Sequence, residues 1–341
     1  MTVNIAALMQ LRPDTRDRTP PDADFGRAAC LLADEGIRVL VAGPGGIEVG
    51  TGGVQVRGFT PVEGSWNTSG AHRLDAVFNR LPSRLPGRWS ALLDTLGQRG
   101  IPAGNPPGVN ALALDKARSC RLLASAGVPV PEIELDPTLF GRCLDRWGAA
   151  FLKPRYGSFG AGVSRLLRGQ PLPAPDPDQP TILQRAVPPP PGPFAGVCVR
   201  GFLQRDRGGA WRSAGRVARA STDDPVANVA RGARGMTVAE LEGSVPAAAA
   251  IGSRLDPLER RVAEVVEGAA GAEADRILEI GTDWVFDASG EPQLVEINGK
   301  PGGRLRILAG LPGEEGRRWT ARHQAALTAP FRRLAVLATA T

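Results

Sequence analysis

The chain has 341 residues, 42% of them hydrophobic and 22% charged, with a formal net charge of +6. That length exceeds one ordinary core and predicts two or three subdomains, and the lack of any apolar run of about 18 residues excludes a membrane-spanning helix. Four widely spaced cysteines without a CxxC pair, and only two histidines, exclude a disulfide framework and a structural zinc site.

From Met1 to Arg18 a short apolar segment is followed at once by charge, unlike a signal peptide, and a cytoplasmic location is expected. Phe25 to Glu35 reads as a helix stopped by Gly36. Ile37 to Ala42 reads as a buried strand running into the turn Gly43-Pro44-Gly45-Gly46. Asp75 to Asn79 is a further strand. The polar cluster Asn79-Arg80-Leu81-Pro82-Ser83-Arg84 at its end lies where α/β sheets present ligands. Trp89 to Arg99 is a helix stopped by Gly100, and Ile101 to Gly108 is a rigid connector. Residues 1–108 thus read as one α/β unit. The arginines are dispersed and no helix-turn-helix, RNA-recognition or zinc-finger pattern occurs, so nucleic acid is not an expected partner.

Asn110 to Gly127 is predicted as one helix, with Lys116 inside it and Val128-Pro129-Val130-Pro131 unable to extend it. Lysine is scarce: Lys116, Lys153 and Lys300 are the three in the chain, each standing where arginine is the default base. A helix from Leu139 to Trp147 precedes the strand Ala149 to Lys153. Next come the loop Gly157-Ser158-Phe159-Gly160-Ala161-Gly162 and a second strand from Val163. Glycines let backbone N–H groups wrap an anion, and a lysine at the strand end adds a point charge suited to phosphate. The Walker pattern GxxxxGK[ST] is absent, and the loop joins two strands rather than a strand and a helix. A flap-like hairpin over a triphosphate fits better than a Walker loop or a dinucleotide fold.

The stretch from Thr282 to Gly303 reads as a hairpin. Trp284 to Phe286 is one strand, Ala288-Ser289-Gly290 the turn, and Gln293 to Asn298 the return strand. Alternation places Glu296 and Asn298 on one face, with Asp283 near the end of the paired strand. Polar residues at strand ends often simply face water. Two convergent carboxylates and an amide otherwise suit a hard cation, Mg²⁺ or Mn²⁺, which binds few protein ligands and shares substrate phosphates.

Lys116, the Lys153 strand with its glycine flap, the strand Thr181 to Gln184, and Asp283 with Glu296-Ile297-Asn298 resemble the ordered motifs of ATP-grasp enzymes. The metal-type residues are similar to those of D-alanine–D-alanine ligase and the ribosomal-protein glutamate ligases, and the chain also resembles the ribosomal-protein glutamate ligase and glutathione synthetase type. Phe78 to Arg84, Leu152 to Gly162, Val199 to Gln204, Trp211 to Arg219, Asn228 to Gly232 and Glu296 to Gly302 resemble the endospore coat-associated YheC/YheD branch more narrowly.

The resemblance implies an α/β ATP-grasp fold. A pre-ATP-grasp domain (1–108) precedes two α+β subdomains, 109–187 with the flap and 188–341 with the metal strands, which clamp ATP between them. It implies that Lys116, Lys153 and the flap residues Gly157, Ser158, Gly160 and Gly162 contact phosphate. Gln184, Arg185, Ala186 and Val187 would line the adenine through backbone hydrogen bonds, and Asp283, Glu296 and Asn298 would hold Mg²⁺ or Mn²⁺. Arg200, Arg219, Asn228, Arg231 and Arg304 fall in segments similar to the family's active-site wall. Pro188 to Gly196 carries no acid where related ligases place a ribose-binding carboxylate. The activity implied is ADP-forming ligation of a carboxylate to an amine through an acyl phosphate, the partners being amino acids, peptides or a protein terminus. A non-catalytic nucleotide-binding scaffold and a kinase acting on a hydroxyl are the alternatives. Nothing in the sequence excludes a homodimer.

Overall fold

The computed structural model describes residues 2–11, 23–62, 65–82, 87–157, 160–174, 176 and 178–340. The N-terminal unit runs β1 (Val3–Leu8), α1 (Ala23–Leu32), β2 (Ile37–Ala42), β3 (Ile47–Gly50), β4 (Gly53–Val56), β5 (Phe59–Val62), β6 (Ser65–Thr68), β7 (His72–Arg73), β8 (Ala76–Asn79), α2 (Gly87–Gln98) and β9 (Ala103–Gly104). Six strands form a sheet of order β6-β5-β2-β1-β8-β9, parallel from β2 to β9, and β3, β4 and β7 form a small second sheet. Strands of a parallel sheet are covered on both faces, which is why β1 and β2 are apolar at nearly every position. Ile5, Ala7, Val39 and Val41 face one core, and Ala6, Leu8, Leu40 and Ala42 face the other.

The middle of the chain contains α3 (Pro107–Leu114), α4 (Lys116–Ser125), β10 (Ile133–Glu134), α5 (Phe140–Trp147), β11 (Ala149–Pro154), β12 (Ser164–Leu167) and β13 (Thr181–Arg185). The strands form an antiparallel sheet of order β10-β13-β11-β12, backed by Phe140, Cys143 and Leu144 of α5. The single helix expected over 110–127 is in fact two. Asp115 is extended (φ −82°, ψ 91°) and N-caps α4 by accepting from the Arg118 N–H at 3.1 Å. Arg155 holds that carboxylate at 2.8 and 2.7 Å, so a contact 40 residues away breaks the helix and sets Lys116 at the start of α4. By packing, Val109, Leu112, Ala113 and Leu123 join the core of the third unit rather than that of the middle sheet.

The third unit contains β14 (Gly196–Arg205), β15 (Trp211–Ser221), β16 (Arg234–Met236), α6 (Val238–Ser244), α7 (Ile251–Ala270), β17 (Glu279–Phe286), β18 (Pro292–Asn298), α8 (Arg306–Ala309) and α9 (Gly313–Thr339). Its sheet is antiparallel, in the order β16-β15-β14-β17-β18. Val199, Trp284 and Ile297 pack with Leu255, Val262 and Val266 of α7. Helix α9 crosses back to the first unit. Leu327, Phe331 and Leu334 enter its core, and Phe331 makes edge contacts with Phe25 and Phe78 at 6.1 and 5.3 Å. Among the described residues no helix is long and apolar enough to cross a membrane.

Candidate functional site

A cavity of about 940 Å³ lies between the middle and third sheets, and the end of β8 closes one side of it. The loop from β11 to β12 forms one wall. Gly160 and Gly162 have φ of 71° and 70°, where L side chains are strained, and a Cβ on Gly162 would lie 2.9 Å from Pro154. Gly157 and Gly160 line the cavity. Gly162 shapes the turn without lining it, and Ser158 lies outside the described residues. Lys116, buried at the N-terminus of α4, donates to the Gly157 carbonyl at 2.5 Å, so the flap rests on this lysine.

The opposite wall is the β17–β18 hairpin. Its register pairs Gly281 with Asn298 and Asp283 with Glu296, which puts these three polar side chains on the cavity face. Thr282 and Ile297, one residue along each strand, point to the other side, where Ile297 joins the core. A bulge after Asp283 then lets Trp284 face Leu294, so both enter the core although the cavity face already has its carboxylates.

The charges are mutually arranged. Arg200 on β14 chelates Asp283, with Nε at 2.6 Å from Oδ1 and Nη2 on Oδ2. Asn298 Nδ2 donates to Asp283 at 3.3 Å and Arg219 stands 3.8 Å away. Burial favours the neutral acid, but these cations outweigh it and hold the Asp283 carboxyl below its ordinary range. Glu296 opens onto the cavity, with 27% of its side chain accessible, and Lys116 is 3.6 Å away. Enclosure by protein, with the negative charge of Asp283 adding to it, pushes its pKa up against the pull of Lys116 and Lys153. Lys153 donates to Gln184 Oε1 at 2.6 Å, and burial lowers its pKa. The Cys198 thiol, 3.9 Å from Asp283, is pushed up to about 12 by burial and by that carboxylate.

Most of the expected site residues come together here: Lys116, Lys153, Gly157, Gly160, Gln184, Arg185, Ala186, Val187, Arg200, Arg219, Asn228, Asp283, Glu296 and Asn298 all line the one cavity. Two arginines do not. Arg231 is outside, bonded to Asp224 at 2.8 Å, and Arg304 is buried against Glu279 at 2.9 Å. In the segment expected to line an adenine, the N–H groups of Arg185 and Ala186 are engaged by the carbonyls of Glu132 and Ala149, so a base there would have to bond to carbonyls or to the Val187 N–H. The Asn79–Arg84 cluster and Lys300 stand out in the sequence without a signal that ties them to this site. Arg80, Leu81 and Lys300 in fact form its far end. Lys300 donates to the Leu81 carbonyl and lies 3.4 Å from Asn79 Oδ1; burial, with Arg80 nearby, lowers its pKa to about 7.

The donor set decides what fits. Like charges directly opposite across two strands are unfavourable by themselves; here Arg200 answers Asp283 and Lys116 lies beside Glu296, and an oxygen donor set of this kind is also one that suits Mg²⁺ or Mn²⁺. Among the described residues no cluster of three or more His, Cys, Asp or Glu occurs, so such an ion needs ligands from elsewhere, as phosphates would provide. The buried Arg219 Nε has no hydrogen-bond partner, which suits an anionic guest beside the carboxylates.

The middle and third sheets, with the cavity between them and the N-terminal α/β unit beside it, have the ATP-grasp fold. Several solved structures share it. A RimK domain ATP-grasp protein from Sphaerobacter thermophilus is 16% identical, with 97% of this chain and 99% of that one covered and a TM-score of 0.52. The D-alanine–D-alanine ligase of Coxiella burnetii is 14% identical, covering 98% and 95%, with a TM-score of 0.56. That of Bacillus anthracis, complexed with ATP, is 13% identical, covering 100% and 99%, with a TM-score of 0.54. Within the fold, residues 178–315 match the family described as YheC/D like ATP-grasp; this stretch contains the similar segments from Val199 to Gly302 and does not reach Phe78 to Arg84 or Leu152 to Gly162. No curated protein matches the sequence.

Proposed function

We propose that the protein is an ATP-dependent ligase that joins a carboxylate to an amine through an acyl phosphate, releasing ADP and phosphate. The observation that carries this reading is the opposed pair Asp283 and Glu296, with Asn298, on the wall of a cavity also lined by Lys116, Lys153 and Arg219. The likeness to a ligase of the same fold solved with ATP supports it.

Lys116 and Lys153 bind the phosphates, and Gly157 and Gly160 bring the flap backbone over them. Asp283, Glu296 and Asn298 would hold Mg²⁺, which supplies charge neutralisation of the triphosphate. Gln184 keeps the Lys153 ammonium oriented toward the cavity through its 2.6 Å hydrogen bond. An oxygen of the substrate carboxylate attacks the γ-phosphorus, the bond to the β-bridging oxygen breaks, and ADP departs. The amine nitrogen then attacks the acyl carbon, phosphate leaves and the amine gives up a proton. Arg219 and Arg200 face the charge that builds on the transferred group. Positioning and charge stabilisation are the protein's contribution, which is why no nucleophilic side chain is needed.

One observation favours a second reading, a non-catalytic scaffold: Asp283 already has Arg200 as its counter-ion. The products separate the readings. A screen of amino acids and peptides for stimulated ADP release gives ADP, phosphate and an amide for the ligase. A kinase leaves the phosphate on the substrate, and a scaffold releases no ADP.

A further inference from the structure

We propose that the Asp115–Arg155 ion pair, which lies outside the cavity, is a positioning device that aims Lys116 at the phosphates of the bound nucleotide. The inference goes beyond the ligase reading and takes from it only that Lys116 meets phosphate.

Neither partner lines the cavity, whereas Lys116, Pro154, Tyr156 and Gly157 beside them do. The helical spacing of Val109, Leu112 and Ala113, which pack in the core of the third unit, continues at Lys116 and Leu123. Built as one helix, residues 110–127 would therefore turn the ammonium toward that core. The break at Asp115 prevents this. In a continuous helix the Lys116 N–H would bond to the Leu112 carbonyl. Here it bonds to the Arg155 carbonyl at 3.1 Å, and Asp115 forms an antiparallel bridge with Tyr156 at the same point. Side chains hold the bridge in place. Arg155 Nε and Nη2 donate to the two Asp115 carboxylate oxygens at 2.8 and 2.7 Å, and the guanidinium lies over the Tyr156 ring at 5.1 Å. A bidentate fork of this kind fixes direction as well as distance. The far end of the lysine is tied to the same segment, through the Gly157 carbonyl.

The pair also joins two units of the fold. Helix α4 packs through Leu123 into the core of the third unit, whereas Arg155 directly follows β11 of the middle sheet. Lys153 stands two residues before Arg155, across Pro154, whose ring fixes φ and stiffens the link. The fork thus sets Lys116 of one unit at a defined place beside Lys153 of the other. Burial favours the neutral acid at Asp115, but the Arg155 bonds and the Arg118 N–H prevail and hold its carboxyl below the ordinary range, so the pair is charged at neutral pH. Arg155 remains one-third exposed, and ion pairs in such positions add little to stability. Loss of the pair should therefore register in binding rather than in melting.

The test is a double-mutant cycle on affinity for Mg·AMP-PNP, read by calorimetry, with the melting temperature of each variant recorded. Lys116→Met and Arg155→Met are each expected to weaken binding at least fivefold. In a Lys116→Met background, Arg155→Met is expected to weaken it less than twofold further, because nothing is left to position. Asp115→Asn keeps an oxygen for the α4 cap but loses the charge, and is expected to follow Arg155→Met. Arg155→Lys, which restores the charge without the fork, is expected to recover part of the affinity. A pair that merely staples the fold would give losses that multiply in the double variant, with a matching fall in melting temperature, and that result would overturn the proposal. Unchanged affinity in Arg155→Met, or in Lys116→Met, would overturn it too. Binding is read without turnover, so an absence of ligase activity and a failure of the positioning pair are told apart.

Discussion

Replacing Arg200 by Met asks whether a cation belongs between Asp283 and the cavity. The pair is nearly sealed, with side-chain exposures of 18% for Arg200 and 8% for Asp283. Removing one partner of a buried pair costs about 3–5 kcal/mol, because the other charge is stranded. Here Arg219 at 3.8 Å and Asn298 at 3.3 Å remain, so the lower end applies. With an unfolding entropy of about 2.1 cal/mol/K per residue, a chain of this length loses about 4 °C of melting temperature for 3 kcal/mol. If the proposed metal site is correct, magnesium at about a hundredfold its dissociation constant is expected to return about 2.7 kcal/mol, most of that loss. In the wild type the ion would have to share Asp283 with Arg200, so its stabilising effect is expected to be smaller. Differential scanning fluorimetry with and without Mg²⁺, using Ca²⁺ as a control for ion size, measures all of this. A variant that melts with the wild type, or gains no more from Mg²⁺ than the wild type does, refutes the reasoning and favours the scaffold.

Glu296→Gln is expected to keep the fold and lose most Mg²⁺-dependent ADP release, while melting at or above the wild type at neutral pH. An acid whose pKa is raised on folding weakens the fold as pH rises past its ordinary value of 4.5, so the gain should shrink toward pH 4. Lys153→Ala is expected to weaken binding of a non-hydrolysable ATP analogue about tenfold or more by calorimetry, a charge-assisted bond contributing roughly 1.5–3 kcal/mol. Unchanged affinity would remove the flap from the phosphate site. Asp24 sits between Arg306 and His323, with contacts of 2.5 and 3.5 Å; burial opposes ionisation, but these two partners prevail and lower its pKa to about 2. Its carboxylate thus stabilises the fold above pH 3.8, and that contribution is lost as pH falls through about 2. Asp24→Asn should melt below the wild type at pH 7, with the gap closing toward pH 2; a pH-independent gap would contradict this sign.

Local signals were legible where chemistry leaves little choice. Gly36, Gly100 and Gly127 were read as helix stops, and all three adopt positive φ, which only glycine takes at low cost. The hairpin was readable because alternation and turn residues agree, and its register brought Asp283, Glu296 and Asn298 to one face. What escaped depends on distant partners. Asp115 inside a helical pattern is an ordinary residue until Arg155 pulls it out of the helix. Arg304, next to a glycine-rich turn, looks like a ligand clamp, yet Glu279 takes it into the interior. The return of α9 to the first sheet has no local signature, because an apolar stripe does not say which surface it covers. The site role of Lys300 likewise emerges only when the Leu81 carbonyl arrives from another unit.

The central claim is that a carboxylate is activated by phosphorylation, and trapping tests it most directly. The protein is incubated with Mg·ATP, an acid that stimulates ADP release, and hydroxylamine in place of the amine. The account predicts a hydroxamate formed in step with ADP and phosphate. Pyrophosphate and AMP, or a stable phosphorylated product with no hydroxamate, would contradict it.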